Sequence, residues 1–97
     1  MRHFHRTALA PDSVLASADE YFVTIGLTRV GHTSRTRGFS GVLGTMRLTV
    51  RMEGGHYTLV DVHTDQAGES RLDKNVKKFF VALHRQADPR HLIEAGY

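Results

Sequence analysis

Apolar and polar residues alternate along the segment GTMRLTVRMEGGHYTLVDVH, which covers residues 44–63. Alternation with a period of two is typical of a β-strand that buries one face and exposes the other. In the first half of the segment, methionine, leucine and valine occupy one side, while arginine and threonine occupy the other. Because glycines favour tight turns, the pattern predicts a β-hairpin with strands at 45–52 and 57–64.

The length of the hairpin loop decides which side chains share a face, and the sequence is compatible with two lengths. A two-residue loop at Gly54-Gly55 turns Asp61 and His63 toward the apolar side of the hairpin. Burying these polar groups costs free energy unless they are hydrogen-bonded. This register therefore predicts a polar site in a pocket.

A three-residue loop that begins at Glu53 exchanges the two faces of the second strand. This register buries valines, and it places Arg47 opposite Asp61 and Arg51 opposite Tyr57. Opposite charges across strands are favourable, each exposed pair contributing about 0.2–1 kcal/mol. We favour this register and keep the other as an alternative. The candidate ligand-binding residues of the hairpin are Arg47, Arg51, Tyr57, Asp61 and His63.

Other segments have weaker patterns. Residues 2–9 alternate weakly and predict a short strand. Pro11 suits the first position of a helix, because its missing N–H would be unpaired there, and apolar residues at helical spacing predict a helix over 12–25. Residues 27–37 are rich in β-branched side chains and predict another strand, and the glycines of 38–44 predict a turn.

A second helix is predicted within residues 68–86. Four apolar residues recur there at i, i+4, i+7 and i+11: Leu72, Val76, Phe79 and Leu83. Ser70 and Asp73 have the spacing of a capping box, with aspartate in place of the usual glutamate or glutamine. Asp73 is also expected to pair with Lys77 one helical turn later.

The order β-α-β-β-β-α indicates a single α+β domain over residues 1–97. We expect an antiparallel sheet of about four strands, with the N-terminal helix and the long C-terminal helix packed on it. Leu92 and Ile93 in the tail are expected to dock on the domain or on a neighbouring subunit. The predicted core residues are Leu48, Val50, Val60, Val62, Leu72, Val76, Phe79, Phe80 and Leu83.

The stretch LAPDSVLASADEYF, with Ala10-Pro11 and Val14, resembles the opening of the START-like helix-grip superfamily, which includes the polyketide cyclase or SRPBCC group. The segment GESRLDKNVKKFFVAL is similar to the helix that closes this fold. The resemblance implies a curved sheet against a long C-terminal helix, in a reduced form because full members of the superfamily are longer. It also implies a small apolar or amphipathic ligand between sheet and helix, and it transfers no catalytic residue.

Composition narrows the classes of protein. The chain contains 97 residues, of which 24% are charged and 40% hydrophobic, and this balance is typical of a globular domain. It has no cysteine, which excludes disulfides and cysteine-based zinc sites and suits a cytoplasmic location. No apolar run is long enough for a membrane helix or a signal peptide, so we expect no membrane partner. A domain this small has a thin core, which favours a homodimer.

The charge is unevenly distributed. The formal net charge is +3, and residues 1–51 contain seven arginines against three acidic residues. Such an excess favours an anionic partner, although a small protein also needs net charge for solubility. Sheet-based RNA readers expose paired aromatic side chains, and Tyr57 is the one convincing candidate on the arginine side. Nucleic acid is therefore the less favoured partner.

Motifs for catalysis or cofactor binding are not evident. His3 and His5 share one side of a strand and could hold a metal only with a third ligand, for which His56, Asp61 or His63 are candidates. The sequence contains no HExxH, GxSxG or phosphate-loop motif, so we expect no metal, no cofactor and no catalytic residue. The leading hypothesis is a non-enzymatic homodimeric binding module. The alternative is a binder of nucleic acid or another polyanion on the arginine side of the hairpin.

Overall fold

A computed structural model describes residues 1–88 of the chain. The elements, in chain order, are β1 (Arg2–Thr7), α1 (Pro11–Thr24), β2 (Thr28–His32), β3 (Thr36–Gly41), β4 (Gly44–Glu53), β5 (Tyr57–Thr64) and α2 (Arg71–Ala87). The strands form one antiparallel sheet in the order β1-β5-β4-β3-β2. The predicted α+β class is confirmed. The docking predicted for Leu92 and Ile93 lies outside the described residues.

The sheet has five strands because the segment predicted as one strand over 27–37 contains a turn. The chain reverses after β2, where the Thr33 amide donates to the Thr36 carbonyl at 3.2 Å and the two threonine hydroxyls lie 2.7 Å apart. Short hydroxyl side chains stabilise such turns by local hydrogen bonds. The turn predicted over 38–44 is shorter than expected, since Gly41 and Gly44 pair directly and leave only two residues in the loop.

Both helices pack on the same face of the sheet and enclose one apolar core. Every predicted core residue is buried except Phe80, which is partly exposed at the edge of the cluster. The core also includes residues that were not in the predicted set: Val14, Leu15, Ala18, Phe22, Leu27, Phe39 and Met46. Most of these additions come from α1 and the strands it crosses. Each fully buried aliphatic or aromatic side chain contributes about 1.5–3 kcal/mol.

The N-terminus of α2 has the predicted capping box. The Ser70 hydroxyl accepts a hydrogen bond from the Asp73 amide, and the Asp73 carboxylate accepts one from the Ser70 amide. The predicted pair of Asp73 with Lys77 is wrong, because Asp73 is fully buried beneath β1 and β5. Lys77 is exposed and pairs instead with Glu69.

The β4–β5 hairpin has a three-residue loop, but it consists of Gly54, Gly55 and His56. Both glycines have positive φ, which glycine adopts without steric strain. Leu48 lies opposite Val62, so neither predicted register is correct. The favoured register is wrong by two residues, and a shift of two leaves each side chain on its predicted face. The valines of β5 are therefore buried, as that register required.

Candidate functional site

The face of the sheet opposite the helices is open to solvent over most of its area. We call this surface the open face. Its side chains come from alternate positions of β1, β3, β4 and β5: Arg2, Phe4, Arg6, Thr36, Gly38, Ser40, Thr45, Arg47, Thr49, Arg51, Glu53, Tyr57, Leu59, Asp61 and His63. A sheet covered on one side only leaves the other side available for a ligand or partner.

All five predicted ligand-binding residues lie on the open face, but their neighbours differ from those predicted. Arg47 lies opposite His63 and not opposite Asp61, which faces Thr49. Arg51 faces Leu59, while Tyr57 faces Glu53. The predicted cross-strand pairs Arg47–Asp61 and Arg51–Tyr57 are therefore wrong, because the three-residue loop begins one residue later than predicted and so displaces β5 by two residues along β4.

Asp61 pairs with Arg2, which belongs to the strand on its other side. Two nitrogen atoms of the Arg2 guanidinium donate to the two Asp61 carboxylate oxygens at 3.1 and 2.9 Å. These hydrogen bonds lower the pKa of Asp61 below its ordinary value, and the nearby charges of His63 and Arg51 act in the same direction. His63 Nε2 lies 3.4 Å from the same carboxylate. Asp61 is thus largely neutralised by the arginine of β1.

The arginines of the open face divide into paired and unpaired groups. Arg2 pairs with Asp61, and Arg6 pairs with Glu53 at 2.6 Å. Within residues 1–88, the guanidinium groups of Arg47 and Arg51 make no hydrogen bond and no close ion pair. Arg51 acts on Asp61 only at longer range.

Arg51 nevertheless has a defined position on the sheet. Arg51 and Arg6 flank Leu59 on its two sides, and Leu59 is only 4% exposed although it belongs to the open face. The aliphatic stems of arginines cover apolar surface in this way while their charged ends stay in water. Two unpaired guanidinium groups, at Arg47 and Arg51, are therefore held along β4 and face solvent.

Two aromatic side chains share the open face. Phe4 is 50% exposed and Tyr57 is 53% exposed. The guanidinium carbon of Arg2 lies 4.2 Å from the centroid of the Phe4 ring, which is a cation–π contact. Tyr57 was predicted from the sequence as a residue of this surface, whereas Phe4 and Arg2 were not. The sequence signal that could have identified Phe4 and Arg2 is that they occupy alternate positions of β1, whose pattern is weak.

One row of residues crosses all five strands and ends in a recess. From β1 to β2 the row contains Arg2, His63, Arg47, Gly38 and Gly31. Where the row reaches β3, Gly38 lies on the floor of a depression of about 480 Å³ that we call the Gly38 recess. Its walls include Val30, Thr45, Arg47, His63 and Asp65. The recess was not predicted, although a glycine inside a strand is itself a signal of close approach by a ligand or another backbone.

The two histidines of β1 lie on the inner face and have other roles. His3 Nε2 is 2.8 Å from the Asp73 carboxylate, and His5 stacks on Phe80 with ring centroids 5.1 Å apart. Among the described residues 1–88, the Nε2 atom of His5 is buried and has no hydrogen-bond partner. No group of three His, Asp or Glu side chains in the described part of the chain is arranged to hold a metal ion.

A scan against models of known protein families finds no match, and a search of curated proteins finds no significant match. The resemblance to the START-like superfamily therefore stays an interpretation of the sequence. Neither helix within residues 1–88 combines the length and the apolar character that crossing a membrane requires.

Proposed function

We propose that this chain is a non-enzymatic binding module whose open face holds an anionic partner. The observation that carries the proposal is the contrast among its arginines. Arg2 and Arg6 have carboxylate partners, whereas Arg47 and Arg51 face solvent without one in the part of the chain that the structure describes. Unpaired guanidinium groups on a fixed scaffold suit carboxylate or phosphate ligands, because their planar donors bind such groups in a bidentate manner.

The use of arginine in place of lysine supports the same proposal. All three lysines of the chain belong to α2, while the cations of the open face are arginines. Arginine and tyrosine are enriched at binding interfaces, and lysine is depleted there. A surface whose charges served only solubility would show no preference for arginine over lysine.

Binding to heparin tests this proposal, since heparin is a polyanion with no sequence of its own to recognise. The double variant Arg47→Gln, Arg51→Gln should elute from a heparin column at a clearly lower salt concentration than the wild type. The control variant Arg71→Gln, Arg85→Gln removes the same charge from exposed positions of α2. If both double variants elute together, net charge alone explains retention, and the open face is not the binding surface.

A homodimer is a second proposal, and β2 supports it. All five residues of this outermost strand are exposed, and its outer edge is a template for pairing with another strand. Dimerisation through the open face is disfavoured, because two copies would bring four unpaired arginines together. Light scattering tests this proposal, and a strict monomer at high micromolar concentration would exclude it.

Three further expectations also stay proposals: the START-like relationship, the cytoplasmic location, and an apolar ligand between the sheet and α2. The pairing of the first strand with the last and the packing of α2 on the sheet are compatible with a reduced helix-grip domain. The packing between the sheet and α2 restricts the binding of an apolar ligand there. Val60, Val62 and Val76 are fully buried in one cluster, so binding there would require α2 to move.

A further inference from the structure

At seven of the eight glycine positions within residues 1–88, the backbone conformation or the surroundings explain why the residue is glycine. Five have positive φ: Gly26, Gly44, Gly54, Gly55 and Gly68. A Cβ at Gly41 would lie 2.9 Å from a Leu27 methyl group, and Gly31 is at the bulge of the outermost strand β2. Only Gly38 remains without an explanation of this kind.

Gly38 lies inside the sheet, where β3 pairs with a strand on each side. Its φ is not positive, and a Cβ would meet its closest neighbour, Val30 Cγ2, at an ordinary 3.4 Å. A β-branched residue would favour the strand more than glycine does. What the glycine provides is the recess, in which bare backbone is exposed beside Arg47.

The residues that line the recess indicate the shape of a ligand that would fit it. Its floor is flat peptide backbone at Gly38, Val30 forms an apolar wall, and Arg47, His63 and Asp65 line the opposite, polar side. A flat ring fits against such a floor, and an anion attached to the ring would reach the Arg47 guanidinium. An extended acidic peptide would use the arginines but would leave the recess empty.

The second unpaired arginine extends this arrangement along the sheet. Arg51 is four residues from Arg47 in the same strand, which places the two about 13 Å apart. Beyond Arg51, the half-exposed Tyr57 offers a ring on which a base stacks, and Phe4 on β1 offers a second half-exposed ring, one face of which contacts the Arg2 guanidinium. A cationic track with flanking stacking surfaces is the general arrangement for single-stranded nucleic acid.

We infer that the anionic partner is single-stranded nucleic acid and that the Gly38 recess receives one of its bases. The inference rests on the proposed function, since Arg47 and Arg51 hold the phosphates. Paired bases of a duplex cannot enter the recess, so single strands bind more tightly than duplexes of the same length. From the sequence, nucleic acid was the less favoured partner because Tyr57 was the one aromatic candidate on this side. The exposed Phe4 provides the second aromatic side chain.

Filling the recess is the direct test. Gly38→Val should weaken binding of a labelled oligo(dT), measured by fluorescence anisotropy, by about tenfold, which corresponds to the loss of one well-stacked base. Thr28→Val is the control, because it places the same side chain at an exposed position of β2 that lines neither the recess nor the adjoining depression at Gly31. The control should change the affinity by less than about twofold. Equal effects of the two variants would overturn the inference.

A second measurement uses the wild-type chain and does not depend on how the variant folds. Titration with oligo(dT) should shift the amide resonances of Gly38 and Arg47 in NMR spectra, and polyglutamate should leave Gly38 unshifted. An unshifted Gly38 with oligo(dT), together with heparin retention that depends on Arg47 and Arg51, would overturn the inference and leave the proposed function standing. Heparin retention independent of both arginines would remove the proposed function itself.

Discussion

The buried carboxylate of Asp73 accepts a hydrogen bond at 2.8 Å from the His3 ring and thereby connects β1 to the first turn of α2. The same carboxylate accepts hydrogen bonds from the Thr64 hydroxyl and from the Ser70 amide and hydroxyl. Burial raises the pKa of Asp73, but these hydrogen bonds outweigh that effect and hold the pKa far below its ordinary value. One aspartate therefore joins the first strand, the end of the last strand and the start of α2.

Replacing this aspartate should destabilise the fold strongly. Asp73→Ala leaves several buried donors without an acceptor and removes half of the capping box, so we expect the free energy of unfolding to fall by about 3 kcal/mol. Urea denaturation followed by circular dichroism measures the change. The control Asp12→Ala, at an exposed position in the first turn of α1, should cost less than about 1 kcal/mol. Similar losses for both variants would contradict the proposed role of the network.

His5 should make the fold sensitive to acid. Burial, together with the nearby His84, lowers the pKa of His5 below its ordinary value of 6.5. The unfolded chain then binds the proton more readily than the folded chain does, so stability is retained above pH 6.5 and declines as the pH falls below it. The variant His5→Phe preserves the ring stack on Phe80 and removes this proton.

The melting temperature at pH 7 and at pH 5 tests this prediction. The decrease between the two values should be smaller for His5→Phe than for the wild type. Asp73 does not interfere with the comparison, because its lowered pKa affects stability only in more acidic solution, below its ordinary value of 3.8. An equal decrease in both proteins would show that His5 does not carry the acid sensitivity.

The two faces of β4 should respond differently to truncation. Arg47→Ala combined with Arg51→Ala should lower the free energy of unfolding by less than about 1 kcal/mol, because both side chains face solvent and have no close partner. Leu48→Ala, on the intervening inner face, should cost about 2–5 kcal/mol through the cavity it leaves. A large loss of stability in the arginine variant would mean that these side chains support the fold and are not reserved for a partner.

Gly44 should be far less tolerant than Gly54, although both have positive φ. A Cβ at Gly44 would lie 2.6 Å from the Gln66 side-chain nitrogen and 2.7 Å from an Asp65 oxygen, which accepts a hydrogen bond from the Thr45 amide. A Cβ at Gly54 would meet nothing within 4 Å. Gly54→Ala should cost about 1 kcal/mol, and Gly44→Ala about 1–3 kcal/mol more, by urea denaturation. Equal costs would show that Asp65 and Gln66 move aside freely.

The open face was partly predictable from the sequence. The strict alternation of β4 places Arg47 and Arg51 on one side, and the structure confirms that side as the one facing solvent. The pairing of Asp61 with Arg2 and of Glu53 with Arg6 was not predictable, because both arginines come from β1, whose own pattern is weak. Charge pairing between strands distant in sequence depends on which strands become neighbours, and that is decided by the packing of the whole domain.

The sequence by itself determined both helices, the two strands of the β4–β5 hairpin, the capping box at Ser70 and Asp73, and which face of β4 is buried. These features depend on local periodicity and on hydrogen bonds within a few residues. The tertiary structure decided the register of the hairpin, the burial of Asp73 under His3 and the recess at Gly38. A period-two pattern is unchanged by a shift of two residues, so only the contacts of β5 with its neighbours on both sides could select one register.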